Sequence, residues 1–162
     1  MTMTQFVDYR GKGFWAYDVA LGVYLKHLID AAEQRKPEAD AEWLEEAVAW
    51  WRVAAVISDY GLTIESSWSE SQIDVLLDLL DRACTRLAEH EEIPASEIVS
   101  WPLLDDLRIH PRGAIVVRTA PVVELGLAII ALINGTLPES PAGTVWFYGV
   151  LEGRTTIRGK SL

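Results

Sequence analysis

The stretch EWLEEAVAWWR, residues 42–52, sets Glu42, Glu45 and Glu46 among Trp43, Trp50 and Trp51. Carboxylates beside aromatic rings can hold a cation, whether a free ligand or a basic side chain of a partner. On a helix, at 100° per residue, the three acids and Arg52 fall on one side and Trp51 on the other. Trp43 and Trp50 then share a flank, so this helix alone does not close a cage. More acids and aromatics follow close by: Asp59, Glu65, Trp68, Glu70, Asp74 and Asp78. Acidic groups around partly exposed tryptophans suit capture of a cationic protein, because charge steers encounter and indoles supply desolvated anchors.

Other chemistries find less support. Asp74 and Asp78 stand one helical turn apart, and His90-Glu91-Glu92 groups three potential ligands. Yet there is no histidine pair at i,i+4 spacing, no CxxC and no Asp-x-Asp-x-Gly loop, so no metal or cofactor is expected. Cys84 lies on the apolar face of a helix, where a thiol behaves as a small hydrophobe. His27 is flanked by apolar residues, and no Gly-x-Ser-x-Gly occurs. No catalytic residue is therefore expected. Arg108, His110, Arg112 and Arg118 form the one basic concentration and could hold an anion. The simpler expectation is that they pair with Asp105, Asp106 or the acidic helices.

The elements that would position these groups read as mainly α. Helices are expected at about 14–35, 41–59, 69–89 and 120–134, with a β-hairpin at about 144–158. Pro37 ends the first helix and Asp40 caps the second. Ser69 with Gln72 makes a capping box for the third, with Ser67 and Glu70 as the alternative register. The fourth, from Thr119 and Pro121 to Asn134-Gly135, is apolar on nearly every side, which predicts a central, buried helix. Tyr9-Arg-Gly-Lys-Gly-Phe-Trp15 reads as turns ahead of the first helix, with its aromatics stapling the chain entry to the core. The hairpin would lean on the helices or on another chain. The expectation is a helical bundle of one domain, residues 1–162.

Composition bounds the function classes. The chain has 162 residues, half of them apolar, with seven tryptophans and a single cysteine. No secretory signal and no apolar run of about 20 residues is evident, which favours a cytoplasmic protein. Net charge is −10, and residues 38–106 hold 17 acids against 3 bases, a local balance of −14. Such a region repels nucleic acid and anionic membranes and suits a basic protein partner.

Two stretches, YRGKGFWAYD at the start of the first helix and LAIIALINGTL at the end of the apolar one, resemble a family of small bacterial proteins. Its members share an Arg-Gly-x-Gly-Phe-Trp start and an apolar helix ending in a Leu-x-x-Gly-x-Leu-like segment. The resemblance covers about the first thirty residues and residues 119–137, and it implies no activity. In size and acidity the family is similar to immunity proteins of bacterial toxin systems. The expectation is thus a non-enzymatic binding protein, most concretely an immunity protein that occludes a basic toxin, such as a nuclease, with its acidic face. Two alternatives stand beside it: an assembly protein that self-associates through its C-terminal hairpin, and an enzyme with a composite site near the 105–118 loop.

Overall fold

Arg10 and Gly11 both have positive φ, 50° and 79°, the backbone that a two-residue hairpin turn needs between twisted strands. They join β1 (Thr4–Tyr9) to β2 (Lys12–Tyr17), paired antiparallel with Phe6 opposite Trp15. The computed structural model describes residues 4–35, 41–57 and 60–159. It corrects the reading of YRGKGFW as turns before a helix. Phe14, Trp15 and Tyr17 are strand residues, and α1 begins only at Asp18 (Asp18–Gln34). Aromatic side chains fit a pleated, half-buried surface well, and the alternation of β2 buries Phe14 and Ala16 while Trp15 and Tyr17 face the other way.

The remaining elements are α2 (Glu42–Val56), β3 (Leu62–Thr63), α3 (Glu70–Ala88), β4 (Glu92–Pro94), α4 (Ala95–Ile98), β5 (Val116–Arg118), α5 (Thr119–Asn134), β6 (Thr144–Tyr148) and β7 (Thr155–Arg158). Five strands form one mixed sheet in the order β3-β1-β2-β6-β7, and β4 pairs with β5 in a separate ribbon. β3 runs parallel to β1, and β6 parallel to β2. The mainly α bundle is therefore overturned: the protein is α/β, with helices on one face of a sheet. Val7, Phe14, Ala16 and Tyr148 face the helices and are buried, while Phe6, Trp15 and Phe147 are half-buried on the opposite face. The C-terminal hairpin forms as expected, β6 against β7. It leans on β2 by strand pairing.

The central helix is also not the one expected. α1 is buried without interruption from Asp18 to Leu25, and it packs against α2, α3, α5 and the sheet. α5 ends at Gly135 in the left-handed conformation, φ 73°, and it exposes Leu127 to solvent. Close approach of α2 to α1 depends on Gly22, where an added Cβ would stand 2.8 Å from the Ala55 carbonyl oxygen. α3 begins in the Ser69 register, with the capping box to Gln72 complete in both directions. Pro37 and Asp40 lie outside the described residues.

Candidate functional site

A groove of about 280 Å³ runs between α2 and the segment that follows it. Its α2 wall is Ala47, Trp50, Trp51 and Ala54, positions that recur at i, i+3, i+4 and i+7 and so share one face. Trp51 is buried, 3% exposed, and forms the floor with Leu62. Trp50 is 62% exposed and Tyr60 59%, which makes them the two aromatic residues among the exposed large hydrophobic side chains described. Their ring centroids lie 6.2 Å apart at 45°. Trp68 and Glu65 complete the opposite wall.

Both walls are fixed to the fold. The α2 wall is drawn to α1 by Ala54 and Ala55 and by an ion pair between Arg52 and Glu33, while Arg52 also donates to the Leu103 carbonyl at 3.1 Å. The opposite wall rests on the sheet edge. Gly61 donates its N–H to Gln5 Oε1 at 3.1 Å, Thr63 donates its hydroxyl to Asp8 at 2.9 Å, and Ile64 N–H reaches the Asp8 carbonyl at 3.0 Å. Gly61 has φ 64°, and a Cβ there would stand 2.5 Å from the Phe6 carbonyl oxygen, so the turn requires glycine. Behind this wall the ring of Trp68 meets that of Trp43 edge-on at 5.3 Å.

The expected partner-binding residues divide into three groups. Trp43, Trp50, Glu65 and Trp68 come together at the groove. Glu42, Glu45, Glu46, Glu70 and Asp74 are exposed, but they do not all face it. At 100° per residue Glu46 lies about 40° from Trp50 around α2, Glu42 about 80° and Glu45 about 140°, all on the side away from Ala47, Trp51 and Ala54, so none of the three lines the groove and Glu45 faces furthest from it. Asp78 belongs elsewhere: it pairs with Arg82 at 2.8 Å and lines a second groove, of about 540 Å³, with Arg35, Arg82 and Arg86. The α2 helix packs on α1, and α3 packs on α1 and α5. Asp59 lies outside the described residues. Tyr60 and Gly61 were not expected in the site. Their signal is an aromatic-glycine step just after a helix, and only the chain reversal brings Tyr60 back to Trp50.

The other candidate groups have local partners. Arg112 donates to the buried Asp18 at 2.7 Å, not to Asp105 or Asp106. Arg108 donates to the Asp105 and Leu107 carbonyls, and Arg118 lies 3.8 Å from Glu92. The space beside Asp18, His110 and Arg112 is about 20 Å³, room for about one water. Tyr24 gives its hydroxyl proton to the Leu80 carbonyl at 2.7 Å, so the Cys84 thiol, 3.6 Å away, is the donor to the phenol oxygen. Burial pushes the Cys84 thiol up. Burial pushes His27 below its ordinary value, partly offset because Nδ1–H donates to the Val23 carbonyl at 2.8 Å. Among the described residues no three His, Cys, Asp or Glu side chains converge to hold a metal ion, and no helix is long and apolar enough to cross a membrane.

Comparison of the chain with protein-family models, with curated proteins and with solved structures finds no match in any of the three.

Proposed function

We propose that this chain is a non-enzymatic binding protein that captures a basic protein partner, most concretely an immunity protein acting in the cytoplasm to neutralise a cognate bacterial toxin. The observation that carries this reading is the groove. Two aromatic rings stand exposed at its mouth beside Glu65, on a protein of net charge −10. Exposed aromatics at a rigid concavity are the anchors that protein interfaces use, and the surrounding negative charge raises the encounter rate with a basic partner. Occlusion of a toxin needs no catalytic group on the inhibitor.

The test is neutralisation. The product of the adjacent upstream reading frame is expressed in bacteria with and without this protein. Toxicity of that product, relieved by this chain, is the expected result. A product that is harmless, or that kills regardless, would remove the immunity reading for that pair.

A second reading rests on a different surface. β7 is the outer strand of the sheet, and the sheet face away from the helices presents Phe6, Trp15 and Phe147 half-buried. An open strand edge can pair with the same edge of a second copy. Sedimentation at micromolar concentration decides it: a dimer is expected under this reading, and a strict monomer eliminates it.

A further inference from the structure

We propose that the groove between α2 and residues 60–68 takes the side chain of one arginine, presented by the basic partner inferred above. The inference rests on that reading and adds which chemical group the site selects. Its volume, about 280 Å³, falls just below the roughly 300–1,000 Å³ of pockets that enclose whole small molecules. It is the size for a side chain.

The lining fits a long cationic side chain from stem to head. Leu62 and the buried edge of Trp51 supply an apolar floor for methylenes, which long cationic side chains lay along apolar surface while the head stays polar. At the mouth, Trp50 and Tyr60 offer two ring faces tilted at 45°, and a cation within about 6 Å of a ring centroid is attracted to it.

The charges point the same way. Among the described residues Glu65 makes no ion pair with a basic side chain of this chain, unlike Asp30, Glu33, Asp78 and Glu92. Glu65 is the acid that lines the groove, and its carboxylate is open to a cation brought by a partner.

Arginine is favoured over lysine by the lining. A guanidinium is planar, stacks on aromatic faces, sheds water more readily than an ammonium and matches a carboxylate with two parallel N–H groups. Trp50 and Tyr60 provide the stacking faces and Glu65 the carboxylate.

The full chain, labelled so that its seven indole N–H signals are followed by NMR, is titrated with N-acetyl-arginine methylamide, its lysine counterpart and its neutral citrulline counterpart. Saturable shifts at the Trp50 and Trp68 indoles are expected with the arginine compound, at least about tenfold tighter than with citrulline. Trp50→Ala should weaken binding by roughly two- to thirtyfold, the span of exposed to desolvated cation–π contacts, and Glu65→Gln by about tenfold or more through loss of a charge-assisted hydrogen bond. Both side chains are exposed, so neither substitution threatens the fold. No saturable shift at Trp50 and Trp68, or equal affinity for citrulline or lysine, overturns the proposal. A chain that binds the arginine compound yet rescues no cell keeps the groove assignment and loses the immunity reading. A chain that rescues cells without those shifts does the reverse.

Discussion

The indole of Trp43, one residue into α2, meets the indole of Trp68, one residue before the α3 cap, edge-on with ring centroids 5.3 Å apart. This contact links the start of α2 to the segment leading into α3, and Trp68 is itself a wall of the aromatic groove. Edge-to-face pairs contribute about 0.5–1.5 kcal/mol beyond the area they bury. A double-mutant cycle with Trp43→Ala and Trp68→Ala in urea unfolding should return a coupling of that size. Coupling near zero would mean that the two rings are neighbours without consequence.

Gly22 offers a test of helix packing by sign. On an open helix, glycine to alanine stabilises by about 1 kcal/mol. Here the new Cβ would press on the Ala55 carbonyl oxygen at 2.8 Å and on Ile109 at 3.2 Å, and overpacking costs about 1–3 kcal/mol. Gly22→Ala is therefore expected to lower the urea midpoint. A raised midpoint would contradict the close α1–α2 approach that sets the groove's inner wall.

His27 should make stability depend on pH in one direction. Its ring packs edge-on against Trp101 at 5.7 Å, and burial lowers its pKa from the ordinary 6.5. The unfolded chain then binds a proton more readily than the folded one, so the contribution is complete above about pH 6.5 and is lost as pH falls below it, towards the folded value. Melting temperatures between pH 5 and 8 should show a steeper acid decline for the native chain than for His27→Gln. Parallel curves would remove His27 as the cause.

The contact between Asp18 and Arg112 ties the 105–118 loop to the start of α1. Both side chains are largely buried, at 6% and 13% exposure. Removal of Asp18 takes two charge-assisted hydrogen bonds from Arg112, and breaking a buried pair costs up to about 3–5 kcal/mol. Asp18→Ala is expected to destabilise by that amount, and adding Arg112→Met to recover part of it. A double variant as unstable as the sum of the two singles would show that the pair is not coupled.

What was legible from residues alone follows from how local each signal is. The capping box at Ser69 and the apolar spacing after it specify α3 within a few residues of chain, and α3 forms there. The C-terminal hairpin is equally local. β1 and β2 escaped for a physical reason. Gln5 is buried on the inner face because its side chain holds Gly61, so a polar residue interrupts the apolar alternation that would mark a strand. Phe14 to Tyr17 then read as the first turn of α1. The pairing of β2 with β6 joins Trp15 to Phe147, a separation no local pattern encodes. In the site, Trp43, Trp50, Glu65 and Trp68 were visible as types and spacing. Tyr60 was not, because its place opposite Trp50 depends on the reversal at Gly61. Asp78 pairs with Arg82 one turn on and lines the second groove, a placement the i,i+4 spacing makes legible.

Growth rescue by groove variants tests the central claim most directly. Cells producing the adjacent reading frame's product also receive the native chain, Glu45→Lys, or the double variant Trp50→Ala/Glu65→Gln. The account predicts protection by the native chain, protection largely kept by Glu45→Lys, whose side chain faces away from the groove, and protection lost with the double variant at equal protein level. Protection by the double variant equal to that of the native chain would contradict the groove as the binding surface. Protection lost with Glu45→Lys alone would move the interface to the opposite side of α2.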